Sequence, residues 1–215
     1  MGEAAHLPSG TAGNRASVPV EPVRESALKR IFDFALAAVG LMFFSPLILI
    51  IAAAILLEEW GPVFYVQPRV GKGGRIFNFY KFRTMLRDAD RMPVPENPDD
   101  DDPRVTRVGN ILRITAMNEL PQLINMLKGD MSFVGPRPEI PELAERWSRE
   151  IPNYDLRHRV RPGLTGLAQL RASRNAHDRI KLKYDLFYIE KRTFCMDIAF
   201  LFRSLGRTIL GRWDK

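Results

Sequence analysis

The chain has 215 residues, 32 Lys and Arg against 25 Asp and Glu, a formal charge of +7, and 46% hydrophobic residues. That length supports one basic domain with a sizeable core. The lone Cys195 excludes an internal disulfide framework and a cysteine-ligated zinc cluster, and His6, His158 and His177 do not fall at metal-ligand spacing.

Residues 1–25 are small, polar and interrupted by Pro8, Pro19 and Pro22. They hold too few large apolar side chains to offset the entropy of ordering and read as a disordered tail. Lys29 and Arg30 then lead into residues 31–57, whose only charge is Asp33. A bilayer core of ~30 Å takes about 20 helical residues, so this run is long enough to span. A cleaved signal peptide, a spanning helix and a re-entrant helix are the three readings, and the run is about twice the usual apolar stretch of a signal peptide. Ser45-Pro46 stands near the middle, where proline removes an intrahelical donor and predicts a kink. Lys29 and Arg30 precede the run, and Arg69, Lys72 and Arg75 follow it, so flanking charge favours neither orientation. A helix over residues 26–60 that dips in, breaks at Ser45-Pro46 and returns to the same face satisfies both ends. Residues 61–215 then form a domain on one side of the membrane.

Residues 63–85 are aromatic and β-branched around Gly71-Lys72-Gly73-Gly74, which predicts a β-hairpin. The turn lacks the spacing and the GK[ST] of a phosphate-binding loop. Residues 83–91 read as helical. Pro93, Pro95, Pro98 and Asp99 to Asp102 follow as a charged loop without the spacing of a calcium-binding loop. Pro121 places a helix start near Leu120, and residues 138–149 and 177–191 read as further helices. Phe194, Ile198, Phe202, Leu205, Ile209 and Trp213 recur at helical spacing with Arg203, Arg207 and Arg212 between them. Such a stripe either packs on the core or lies on an anionic membrane surface. The fold class is therefore α-rich α+β, with a re-entrant membrane helix, a small hairpin and several amphipathic or interfacial helices.

The stretch from Thr106 to Glu139 combines arginines, one glutamate at a helix start and a rigid Pro136-Arg137-Pro138. A helix opening near Leu120 would turn its amide donors toward Glu119, hold it ionised and leave it available to a metal. Proline on each side of Arg137 restricts the backbone and aims the guanidinium at a phosphate or a planar base. A helix cap and a surface ion pair are the plainer readings of the same residues. Arg157, Arg159 and Arg161, with Arg171 and Arg174 beyond, also suit phosphate. The sequence has no aromatic RNA-binding signature, zinc finger or recognition helix, which argues against nucleic acid as a partner.

Taken in order, Lys29-Arg30-Ile31-Phe32-Asp33, Ser45-Pro46, KFRTM at Lys81 to Met85, DPRVTRVG at Asp102 to Gly109, ELPQL at Glu119 to Leu123, KGDMSFVGPRPE at Lys128 to Glu139 and RPGLTGLAQ at Arg161 to Gln169 resemble a known family. It is that of the bacterial sugar transferases called monotopic polyprenyl-phosphate phosphoglycosyl transferases. The resemblance runs from about Ala27 to the C-terminal end and is to the small form, without a multi-span N-terminal domain. It implies transfer of a sugar 1-phosphate from a UDP-sugar to undecaprenyl phosphate, with release of UMP. The setting it implies is the cytoplasmic face of the bacterial inner membrane, at the first step of exopolysaccharide or O-antigen assembly.

In that family an adjacent Asp-Glu pair works with Mg²⁺, and the aspartate attacks the β-phosphate to give a covalent phosphosugar enzyme. The matching positions here are Asn118 and Glu119. An amide can ligate a metal but is a poor nucleophile. Attack by Glu119, direct transfer between the two substrates, and a catalytically impaired scaffold that keeps the fold all stay open. The resemblance further implies Arg137, with Pro136 and Pro138, in nucleotide recognition, and Lys81, Arg83, Arg104 and Arg161 in contacts to the diphosphate or the lipid phosphate. The implied partners are the UDP-sugar, undecaprenyl phosphate and membrane lipids; a homo-oligomer is compatible with the sequence, which sets no copy number and does not identify the sugar.

Overall fold

The computed structural model describes residues 20–93, 102–173 and 176–209. Residues 1–19 of the expected tail, Asp99 to Asp101, Arg174, Arg212 and Trp213 lie outside the described residues. The last residues of that tail depart from the expectation of disorder. The Val23 N–H donates to the Arg159 carbonyl at 2.8 Å, and Glu25 pairs with Arg161 and Lys72.

Helix α1 runs over Ala27–Glu58, with the Ser26 side chain accepting from the Lys29 N–H at its start. It is the one described helix long and apolar enough to cross a membrane, with a mean hydropathy of 2.6 over its most apolar stretch. The expected break at Ser45-Pro46 does not interrupt it: Pro46 lies inside a continuous helical run. The reason is local. Pro46 has no N–H for the carbonyl four residues back, that of Met42, and the Ser45 hydroxyl donates to this carbonyl at 2.9 Å instead.

The helix packs on the rest of the chain on both sides of the proline. On the N-terminal side Asp33 accepts from the Phe133 N–H, Ala37 joins Leu123 and Met126 in the main core, and a Cβ at Gly40 would come within 3.3 Å of Leu123. On the C-terminal side Ile51 and Ile55 join Phe82 and Leu112. Met42, Phe43, Leu49, Ile50 and Leu57 stay exposed. An apolar face of this size without a protein partner suits lipid.

Strands β1 (Phe64–Val70) and β2 (Ile76–Phe82) pair antiparallel from Phe64 opposite Phe82 to Val70 opposite Ile76, forming the expected hairpin. Its turn needs left-handed backbone at Gly73 (φ 67°) and Gly74 (φ 75°). The helix expected over residues 83–91 is reduced to a single 3-10 turn at Ala89–Arg91.

Helix α2 (Arg107–Ile114) is tied to the end of α1, because Glu58 accepts from the Arg107 and Val108 N–H groups at its first turn. Helix α3 (Gln122–Lys128) follows Pro121 and packs along α1. Two short strands that the sequence did not suggest, β3 (Ser132–Val134) and β4 (Gly163–Thr165), pair parallel. Glycine is required where they meet: a Cβ at Gly163 would lie 2.1 Å from the Gly135 nitrogen. Between them lies α4 (Pro141–Glu150), and after them come α5 (Leu167–Arg171), α6 (Asp178–Lys191) and α7 (Phe194–Ile209).

The stripe expected on α7 divides: Phe194 and Ile198 are partly buried, while Phe202 and Leu205 remain exposed, and the face turned to the core is that of Asp197, Phe200 and Leu201. Packing on the core therefore does not account for the outer two.

Candidate active site

After α2, Ala116 adopts left-handed backbone (φ 56°) and the chain makes a 3-10 turn over Met117–Glu119 before Pro121 starts α3. Met117 and Leu120 pack against the cluster of Ile51 and Ile55, so the intervening Asn118 and Glu119 are fixed beside the C-terminal half of α1. The expected amide cradle for Glu119 is not what holds it. The Leu120 and Leu123 N–H groups are spent on the Met117 and Leu120 carbonyls, and among the described residues no backbone N–H donates to the Glu119 carboxylate.

Two cations hold it instead. Arg137 Nη2 donates to Glu119 Oε1 at 2.6 Å, and Lys81 Nζ approaches the same oxygen at 3.1 Å. Burial alone would push the Glu119 carboxyl up, but Arg137 and Lys81 overcome it and hold the group down at about 2. Burial lowers Lys81 below the ordinary lysine value, opposed by Glu119 and assisted by Arg137, while Glu119 raises Arg137.

The hairpin forms the floor. Side chains at alternate positions share one face of a strand, which groups Tyr65, Gln67 and Arg69 with their opposite residues Lys81, Phe79 and Phe77. Lys81 and Arg69 both lie over the Phe79 ring, at 5.2 and 5.5 Å from its centroid. Arg69 donates to the Pro138 carbonyl at 3.0 Å, to Glu139 at 3.3 Å and to Gln67 at 2.7 Å. Arg69, Gln67 and Glu139 escaped the sequence reading. For Arg69 and Gln67 the available signal was their alternation with Lys81 across the hairpin, whereas Glu139 comes from the loop after β3.

The loop after β3 presents Arg137, whose side chain is 43% exposed, between Pro136 and Pro138, both buried. The Pro136 carbonyl accepts from the Gly163 N–H at 2.9 Å, and the Gly135 N–H donates to Thr165 at 2.9 Å. The two prolines thus act as anchors and Arg137 as the projecting group.

The remaining expected phosphate contacts are elsewhere. Arg83 is buried at the end of α1, donating to the Glu59 carbonyl and facing the Glu59 carboxylate. Arg104 makes a fork to Asp102, with its Nη2 at 2.7 Å. Arg161 donates to the Gly129 carbonyl at 2.9 Å and to Glu25. Arg157 is buried against Asp185, 3.0 Å away, and does not face solvent as part of an arginine patch. Ser45 and Pro46 are remote from this centre in their contacts and belong to the membrane helix.

Among the described residues no three acidic, histidine or cysteine side chains converge on a metal position. Magnesium does not need such a cage; it is commonly held by one or two carboxylates, several waters and the substrate phosphates. The closest approaches of both cations are to Glu119 Oε1, which leaves Oε2 as an ionised oxygen, and Asn118 beside it has an amide oxygen. This donor set fits Mg²⁺ brought together with a diphosphate.

Residues 24–211 match the family model described as bacterial sugar transferase. A UDP-N-acetylgalactosamine-undecaprenyl-phosphate N-acetylgalactosaminephosphotransferase from Aeromonas hydrophila is 41% identical over 208 residues, 95% of this chain and 48% of that one. A UDP-glucose:undecaprenyl-phosphate glucose-1-phosphate transferase from Caulobacter vibrioides is 41% identical over 196 residues, 89% of this chain and 73% of the other. The exopolysaccharide production protein ExoY of Rhizobium meliloti is 36% identical over 208 residues, 90% of each chain. This chain spans about half the length of the Aeromonas relative.

Proposed function

The chain belongs to the bacterial sugar transferase family, and from that premise we propose that it transfers a sugar 1-phosphate from a UDP-sugar to undecaprenyl phosphate and releases UMP. The observation that carries this reading is the pair of cations, Lys81 and Arg137, converging on one carboxylate beside the membrane helix. A diphosphate needs positive charge arranged in advance of the transfer, and preorganised charge of this kind is the largest source of phosphoryl-transfer catalysis. The relatives are named for transfer of a sugar phosphate to undecaprenyl phosphate and for exopolysaccharide production, which supports a place for this transfer at the start of surface-glycan assembly.

In the proposed reaction Arg137 and Lys81 bind the diphosphate oxygens. Glu119, kept ionised by those same cations, and the Asn118 amide oxygen would hold a magnesium ion. Bound there, Mg²⁺ would neutralise charge on the diphosphate. The anchoring of Glu119 Oε1 by two cations favours a holding role over a nucleophilic one, and Asn118 supplies no anionic oxygen for attack. The transfer is then direct: an oxygen of the lipid phosphate bonds to the β-phosphorus as the bond to the bridging oxygen breaks, and the electron pair leaves with UMP.

The membrane setting follows from α1. Lys29, Asp33 and Ala37 before Pro46, and Ile51, Ile55, Glu58 and Glu59 after it, bind the same domain. Contacts from both ends of α1 to one domain support a re-entrant helix, which we place at the cytoplasmic face as part of the same proposal. The exposed Phe202 and Leu205 of α7 suit the same membrane surface.

The test is UMP release by the detergent-solubilised protein with Mg²⁺ and a panel of UDP-sugars, with and without undecaprenyl phosphate. The unaltered protein should release UMP only when the lipid is present, and Asn118→Asp should add a stoichiometric, lipid-independent burst. Absence of release from both proteins over the whole panel would favour a non-catalytic scaffold.

A further inference from the structure

The loop that carries Arg137 is held by its carbonyls. That of Val134 accepts from Lys29 at 3.3 Å and Tyr188 at 3.2 Å, that of Pro136 from Gly163 at 2.9 Å, and that of Pro138 from Arg69 at 3.0 Å. The carbonyl of Arg137 itself accepts from Arg157 Nη2 at 2.9 Å. Proline fixes φ on either side of Arg137, so the backbone angles of Arg137 are the soft ones in this loop, and the hydrogen bond to its carbonyl restrains them. Arg157 is buried, donates through Nη1 to the Tyr154 hydroxyl, and lies over the Tyr154 ring at 4.9 Å from the centroid. Its Nη2 also stands 3.0 Å from Asp185 Oδ2, and Asp185 is only 2% exposed on α6.

We propose that Arg157 is a positioning residue for the transfer: anchored by Asp185, it grips the Arg137 carbonyl and sets the direction from which the Arg137 guanidinium meets Glu119 and the diphosphate. This rests on the transferase reading. A buried ion pair adds little to stability compared with well-packed apolar residues, so its contribution here is orientation. The planar fork of arginine reaches Asp185, Tyr154 and the Arg137 carbonyl together, which a lysine ammonium on its single stem does not. Arg157 has no route to the substrate of its own; its effect passes through Arg137.

The experiment joins two readouts on Arg157→Lys and the milder Asp185→Asn, with Ala144→Gly as a control that weakens the same apolar cluster without touching the loop. The first is hydrogen exchange at the Gly163 and Val70 amides, which donate to the Pro136 and Glu139 carbonyls of this loop. Exchange should quicken in Arg157→Lys and Asp185→Asn, and stay unchanged in Ala144→Gly even at an equal loss of thermal stability. The second is steady-state UMP release. In Arg157→Lys kcat/KM for the UDP-sugar should fall about tenfold to a hundredfold, as for a small misplacement, while KM for the lipid phosphate holds. Placed in an Arg137→Ala background, Arg157→Lys should cost nothing further, because two residues acting through one contact do not add. Unchanged exchange, an unchanged kcat/KM for the UDP-sugar, or full additivity with Arg137→Ala would each overturn the proposal. A protein silent with every UDP-sugar would instead overturn the transferase reading; exchange would then decide alone whether Arg157 places Arg137, and an unchanged rate would overturn that too.

Discussion

The basic residues of this chain fall into two groups that differ in how their charge is answered. Lys29, Arg104 and Arg157 each face one buried carboxylate, respectively Asp197, Asp102 and Asp185, and Arg161 closes with Lys72 on the buried Glu25 side chain. Lys81 and Arg137 share one carboxylate, Glu119, with Arg69 close by. The first arrangement is closed and ties elements together. The second leaves positive charge in excess at a partly open surface, and that excess is what an anionic substrate requires.

The largest expected effect tests the shared carboxylate. Glu119→Gln keeps the shape but removes the charge that Lys81 and Arg137 share, and UMP release per folded molecule should fall about a hundredfold to a thousandfold, together with the stability that the ionised Glu119 contributes at neutral pH. The counterpart on the closed side is Lys29→Met. It strands Asp197, whose other oxygen accepts from Tyr188 at 2.7 Å, and should lower stability by about 3 kcal/mol or more in denaturant titration.

A pH series separates the groups further. Burial, assisted by Arg157, holds His158 down at about 3 against an ordinary 6.5. The unfolded chain therefore binds a proton at His158 that the folded chain refuses, and this stability, complete above pH 6.5, is lost as pH falls toward 3. Replacing His158 by Gln should flatten that limb of the unfolding curve. Glu119, held at about 2, contributes stability fully above its ordinary 4.5 and loses it only as pH falls through about 2. The Glu119 ion pairs should thus leave UMP release without a titration from this group between pH 5 and 9.

Smaller effects complete the comparison. Arg161→Ala removes the guanidinium's hydrogen bonds to the Glu25 carboxylate and the Gly129 carbonyl and should cost roughly 1.5 to 3 kcal/mol while leaving the turnover of folded molecules unchanged. Pro46→Ala restores the backbone donor for which the Ser45 hydroxyl substitutes, and should alter stability least of all. If Pro46 sets the re-entrant course, cysteine labelling before Lys29 should move to the opposite membrane face in this variant.

Much of this was legible in order along the chain. The apolar run, the hairpin and its glycine turn follow from local patterns, and Glu119 and Arg137 were each legible as site residues, but their ion pair was not. The unbroken course of α1 did not, because a proline reads as a break until a serine hydroxyl is seen on the carbonyl it deserts. Nor did the division among the arginines. Arg83, Arg104, Arg157 and Arg161 look alike in sequence, and what closes Arg83, Arg157 and Arg161 is a carboxylate or a carbonyl from a distant segment, as when Glu25 meets Arg161, while Arg104 forks onto Asp102 two residues before it. Strands β3 and β4 were too short to show any periodicity, and they are the elements that hold the Arg137 loop.

The most direct test of the central claim is the initial rate of lipid-dependent UMP release, measured side by side for the unaltered protein, Glu119→Gln and Arg161→Ala over the UDP-sugar panel. The account predicts turnover in the first, its near-complete loss in the second and its retention in the third. Loss in Arg161→Ala with retention in Glu119→Gln would contradict it, because the reacting centre would then lie at the closed cluster of Arg161 and Glu25.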